Sequence, residues 1–163
     1  MRIYAKFMKQ SHSFNSKKIG IVDVKLGTNV TIVEPSNLYG ATIGDGSFIG
    51  PFVEIQSDAQ IGKDCRIQSH SFICSQVKIG NKCFVGHGVT FTNDLFKKGL
   101  PSPDAKDWLP TTIEDKVSIG SGSTILPVRI VGGCVIGAGS VVTKDLTVKG
   151  VYAGNPARLL RKF

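Results

Sequence analysis

No stretch of these 163 residues is apolar for long enough to span a bilayer, and the opening MRIYAKFMKQ lacks the hydrophobic core of a secretory signal. Both absences predict a cytoplasmic protein without membrane insertion. The four cysteines include no Cys-x-x-Cys pair, so their spacing writes neither a zinc site nor a redox motif. Acidic residues are scarce: 12 Asp and Glu stand against 20 Lys and Arg, a formal net charge of +8. A surface this basic suits polyanions, nucleic acid or phosphorylated small molecules alike, and equally a surface with no dedicated partner. No recognition helix or interleaving of aromatic and basic residues supports nucleic acid.

What the chain has instead is a ladder. Ile43, Ile49, Ile55, Ile61, Ile67, Ile73, Ile79, Val85 and Phe91 follow one another at every sixth position. Gly44, Gly50, Gly62, Gly80 and Gly86 come directly after, and a slim residue returns four positions on: Ser47, Val53, Ala59, Cys65, Ser71, Val77, Cys83, Val89. A period of six suits neither a 3.6-residue helix nor a simple alternating strand. It suits a chain coiled into a prism, one hexad per flat side and three per circuit. Leu26, Ile32 and Leu38 precede the run with a slip of one residue, and Ile113, Ile119, Ile125, Ile130, Ile136, Val142 and Val148 continue it with another. The reading is all-β, one domain over 1–163, with roughly six coils and a length of about 30 Å.

Three parts depart from the ladder. Residues 1–25 predict an irregular or strand-like start. Residues 92–112, with three prolines and the single tryptophan, Trp108, predict a long inserted loop with a binding role. Residues 153–163 predict a cap or short helix. Cys65, Cys83 and Cys134 fall on inward slim positions and read as buried hydrophobes; Cys74, where glycine usually stands, is expected to face outward.

The period also gives geometry. Ile67 and Val85 are eighteen residues apart, so His70 and His87 belong to one corner on consecutive coils, with Pro51 and Phe52 one coil below. The next hexads bring Glu54 to Asp58, Cys74 to Gln76, and Asn93 and Asp94 where the loop leaves. The expectation is that imidazoles, amide, carboxylates and loop converge on one edge.

The sixfold ladder, the looped-out insertion and the closing run IGAGSVVTKDLTVKGVYAGNPARLL resemble the hexapeptide-repeat acyltransferases. Within them, FIGPFVEIQSDAQIGKDCRIQSHSFICSQVKIG and FVGHGVTFTND are most similar to the nucleotide-sugar N-acetyltransferases. The resemblance implies a left-handed parallel β-helix, a homotrimer, acetyl-CoA as co-substrate with no metal, and transfer to the 3-amino group of a dTDP- or UDP-linked deoxyamino sugar for surface glycan synthesis. It implies His87 as general base, or as a group that only positions an amine attacking unaided, with His70 orienting the sugar or sharing the proton. Imidazole, with a free pKa of about 6.5, can take a proton at neutral pH.

Asn93 and Asp94 would fix the amine and sugar hydroxyls, with Glu54 and Gln68 as further sugar-side candidates. The coenzyme would follow the backbone N–H groups of Gly120, Ser121 and Ala138 along a groove between prisms, with Lys144 and Arg158 on its phosphates. Arg158 could instead cap the prism, and Trp108 could cover a ligand or anchor the loop on a neighbouring subunit. Competing functions are O-acetyl transfer to a sugar or xenobiotic and a catalytically silent assembly element. A γ-carbonic-anhydrase-like zinc site would need a third imidazole, and the remaining one, His12, lies outside the ladder.

Overall fold

A computed structural model describes residues 20–163; His12 and most of the irregular start lie outside the described residues. From Gly20 onward the chain is already coiled. The first face of the prism stacks β1 (Ile21–Val22), β4 (Asn37–Tyr39), β7 (Glu54–Ile55), β10 (Phe72–Ile73), β13 (Thr90–Phe91), β16 (Thr124–Ile125) and β19 (Val141–Val142). The second stacks β2 (Lys25–Leu26), β5 (Thr42–Ile43), β8 (Gln60–Ile61), β11 (Val77–Ile79), β14 (Thr111–Ile113) and β17 (Arg129–Ile130). The third holds β3 (Thr31–Ile32), β6 (Phe48–Ile49), β9 (Arg66–Ile67), β12 (Phe84–Val85), β15 (Ser118–Ile119), β18 (Val135–Ile136), β20 (Gly150–Ala153) and β21 (Arg158–Lys162). From β1 to β19 successive strands visit the three faces in turn, and the result is a left-handed parallel β-helix. Seven strands on the first face make seven rungs, one more than the ladder suggests, because β1 adds a rung inside the start, whose described part is strand-like rather than irregular.

Register confirms three hexads per circuit. Ile55 pairs with Ile73, and Ile49 with Ile67, eighteen residues apart. At the two slips the circuit shortens to seventeen, pairing Leu26 with Ile43 and Ile113 with Ile130. The slim positions point inward as expected, and buried serines among them cross-link rungs: Ser47 Oγ donates to the Gly62 carbonyl at 2.9 Å and Ser71 Oγ to that of Gly86 at 2.9 Å. Each buried isoleucine contributes about 1.5–3 kcal/mol of transfer free energy.

Two expectations change. Cys74 is buried, 2% exposed, because its corner turns inward with Ser75, and that burial pushes its thiol up to about 11. Val148 is exposed, and Leu146 takes the inward place by bridging Ile130 on the second face. The closing segment is the expected cap, built as a strand and not as a helix: β21 runs antiparallel to β20 and covers the open edge of the third face.

The insertion is a structured loop. Its base closes with the Leu109 N–H donating to the Asn93 carbonyl at 2.8 Å, and Gln76 Nε2 ties it down by donating to the Ala105 carbonyl at 3.1 Å. One short 3-10 turn, Ala105–Asp107, is capped by Asp104, and Trp108 follows it half-buried. A cleft of about 350 Å³ within the loop is lined by Leu95, Leu100, Pro101 and Leu109, with Lys97 and Lys98 beside them.

At the corner between the second and third faces, side chains receive the N–H groups of the rung below. Asp45 Oδ1 accepts from Thr28 at 2.8 Å and Asp115 Oδ1 from Asn81 at 2.7 Å. The hydrogen bond from Lys63 holds the Asp45 carboxyl down to about 2, and the Asn81 N–H lowers that of Asp115. A depressed folded pKa stabilises above the unfolded value, about 3.9, and that contribution disappears as pH falls through the folded one. Thermal denaturation across pH should therefore show a falling midpoint between about pH 4 and pH 2, with a shallower fall in Asp45→Asn. A second outcome concerns the loop: Gln76→Ala should speed tryptic cleavage at Lys97, Lys98 and Lys106 several-fold, while the global unfolding free energy moves by less than about 1.5 kcal/mol.

Candidate active site

The corner between the third and first faces carries the paired histidines. Its turns stack Pro51–Phe52, Ser69–His70, His87–Gly88, Ser121–Gly122 and Ala138–Gly139. Rung-to-rung bonds align them: the His70 N–H donates to the Pro51 carbonyl at 3.2 Å, Gly88 to Ser69 at 3.0 Å and Gly122 to His87 at 2.8 Å. The two imidazoles thus share one corner on consecutive rungs, but at successive turn positions, so neither stands over the other. His87 stands over Ser69, with 2.8 Å between Nδ1 and Oγ, while its own N–H donates to Ser121 Oγ at 3.1 Å. His70 stacks on Phe52 instead, ring centroids 4.9 Å apart and planes at 30°. Both histidines are solvent-exposed.

This grip has a chemical meaning. Serine can donate to or accept from Nδ1, and when it accepts, Nδ1 carries the proton and Nε2 offers its lone pair. Nε2 has no protein partner among the described residues. Close packing behind His87 depends on Gly86, where a Cβ would meet the Ser121 nitrogen at 2.6 Å.

Above His87 the corner is bare. The Ser121 and Ala138 N–H groups find no acceptor among the described residues. Gly120 differs from expectation, because its N–H is committed to the Ile136 carbonyl at 2.8 Å. Ala153 continues the column past Gly137 and pairs with Arg158, whose Nη1 donates to the Ala157 carbonyl at 3.1 Å. Gln68 opens the His70 turn, half-buried.

The expected convergence on one edge does not occur within one chain. Asn93, Asp94 and the loop leave from the corner between the first and second faces, and β13 separates them from His87. Lys144, after β19, lies on that corner too. There Asn93 Nδ2 donates to the Ser75 carbonyl at 3.4 Å, and the Ser75 N–H to Gln56 Oε1 at 3.3 Å. Glu54, on the first face, accepts from Gln56 Nε2 at 3.3 Å and from the Tyr39 hydroxyl at 3.4 Å; burial and that carboxylate push Tyr39 above its ordinary pKa.

Asp94 organises the loop: its carboxylate accepts the Ser102 N–H at 2.6 Å and the Phe96 N–H at 2.8 Å, which hold it below the usual carboxylate range. Sequence reasoning missed Ser69 as the partner of His87 and Phe52 as the partner of His70. The eighteen-residue offset between Ser69 and His87 was the available signal.

Among the described residues there is no group of three or more His, Cys, Asp and Glu able to hold a metal ion, and no helix long and apolar enough to cross a membrane. Comparison with known proteins matches residues 40–75 to the bacterial transferase hexapeptide (six repeats) and residues 110–144 to the hexapeptide repeat of succinyl-transferase. The bifunctional protein GlmU of Thermotoga maritima is 31% identical over 150 residues, covering 87% of this chain and 34% of its own length. The chain thus spans about a third of the length of the first curated relatives it matches. A point mutant of AntD, an N-acyltransferase from Bacillus cereus in complex with dTDP and coenzyme A, superposes with a TM-score of 0.69 at 22% identity, covering 87% of this chain and 85% of that one. PerB from Caulobacter crescentus, in complex with CoA and GDP-perosamine, gives 0.60 at 19% identity, covering 83% and 57%. These two likenesses share the fold. Two repeat motifs on either side of the loop, each lying on rungs of the same three-sided coil, show that this chain is built from the hexapeptide repeats found in bacterial transferases.

Proposed function

We propose that this protein transfers the acetyl group of acetyl-CoA to the 3-amino group of a dTDP- or UDP-linked deoxyamino sugar. The observation that carries the reading is His87, held by Ser69 through Nδ1 and by Ser121 through its backbone, on the same corner as the bare turns above it. The N–H groups of Ser121 and Ala138 are placed to receive the amide oxygens of the pantetheine arm. Arg158, at the end of that column, supplies a guanidinium for phosphate oxygens. Lys144, on the other corner, and Gly120, whose N–H is taken, play no part in this arrangement. AntD and PerB, with coenzyme A and nucleotide or nucleotide sugar bound, support the substrate class.

In the reaction the uncharged amine attacks the thioester carbonyl. The C–N bond forms, the amine proton passes to Nε2 of His87, and the C–S bond breaks to release the thiolate, which takes up the proton. Ser69 accepts from Nδ1–H and stabilises the imidazolium in place. Gln68 and Glu54 are the sugar-side polar groups nearest this corner along the chain. Asn93 belongs to the loop edge, so its contact with the amine requires a second copy, and a homotrimer that sets one copy's loop edge against the histidine edge of the next supplies it. The setting is cytoplasmic synthesis of surface glycans.

Free-thiol release from acetyl-CoA, measured against dTDP- and UDP-linked 3-amino sugars and their 3-hydroxy counterparts, tests the reading. Turnover is expected with the amines. Turnover with hydroxyl acceptors alone would make the protein an O-acetyltransferase, and turnover with none would end the proposal. His87→Ala should lower kcat by about 10²–10⁴-fold; an unaltered rate would remove His87 as the base.

A further inference from the structure

The histidine corner changes character at His87. Above it, Gly122 and Gly139 leave the outer turn position bare, and the same position is bare at Gly88; a Cβ at any of the three would meet nothing within 4 Å. Below it, that position carries His70 and Phe52. Phe52 is 56% exposed, although nothing in the core requires an aromatic ring there. Its backbone is left-handed, φ +58°, and so is that of His70, φ +63°. That region is sterically unfavourable for a bulky side chain and tends to persist where function requires it. At the other corners the left-handed non-glycine residues are Asp23, Asn29, Asp58, Asp64, Gln76, Lys82 and Lys116, all polar. Phe52 breaks that pattern, and its ring is fixed against the imidazole of His70 in an offset stack.

We infer that Phe52 and His70 form a stacking platform for the nucleobase of the nucleotide-linked substrate, a proposal that rests on the acetyl-transfer reading above. A rigid, solvent-exposed π-surface binds planar heterocycles with little regard to their identity. Two rungs separate Phe52 from His87, about 10 Å, an interval that ribose and diphosphate can bridge to bring the sugar amine to Nε2. The coenzyme approaches from the bare rungs on the opposite side, so the two substrates meet at His87 from opposite directions along one edge. His70 is accordingly a binding residue, and its ring is engaged with Phe52 rather than directed to proton transfer.

Titration calorimetry of the full chain with dTDP, UDP and coenzyme A, on the wild type, Phe52→Ala and Phe52→Trp, tests the platform. Phe52→Ala should weaken dTDP and UDP binding on the order of tenfold or more, Phe52→Trp should restore it, and coenzyme A affinity should stay unchanged in both. Circular dichroism and the oligomeric state should match the wild type. Unaltered nucleotide affinity in folded Phe52→Ala would overturn the inference. So would an equal loss of coenzyme A binding, or dissociation of the assembly, which would make Phe52 an intersubunit residue. Nucleotide binding that depends on Phe52 without any thiol release would defeat the acetyl-transfer reading and leave the platform standing. Thiol release with amino sugars that lack a nucleotide, alongside no nucleotide binding, would do the reverse.

Discussion

In-register stacking of one rung on the next is the constraint from which everything else in this molecule follows. Each rung gives its N–H groups to carbonyls of a neighbouring rung and sets its isoleucine on the neighbour's isoleucine, as Ile55 does with Ile73 and Ile61 with Ile79. Backbone pairing and apolar packing therefore demand the same repeat, and a residue's place on a corner is fixed by its distance from the nearest inward aliphatic. Glycine enters where that stacking is tightest: Gly86 allows the Ser121 turn to lie close behind His87. The candidate active site is a by-product of this regularity, a column of turns in which a few side chains depart from the small or polar norm.

Much of this was legible in the sequence because a period of six has few physical explanations. The three-sided coil, the inward slim residues, the shared corner of His70 and His87 and the position of the inserted loop all follow from counting. What counting could not reach was decided inside individual turns. Cys74 looked outward because glycine normally stands there, yet Ser75 and Cys74 both turn in. Val148 continued the period, but the last circuit is shorter and Leu146 reached the core first.

The site was legible in the same measure. A spacing of eighteen puts two residues on one corner, but the phase within the turn decides which neighbour each touches. One residue of phase gives His87 to Ser69 and His70 to Phe52. The expectation that loop and histidines meet on one edge overlooked the full hexad of β13 between them. A hexad is a whole face, so Asn93 and His87 of one chain look out from different corners.

The loop shows one more property of the coil. Between Ile79 and Ile113, thirty-four residues take the place of one circuit, yet the paired strands stay in register as if nothing intervened. The Asn93–Leu109 bond pinches the detour shut at its neck, so the winding below and above never senses its length. A corner of this prism is therefore a port at which new chain can be spliced without disturbing the scaffold. Such a port lets the appendage be rewritten alone, with the stacked frame left as inherited.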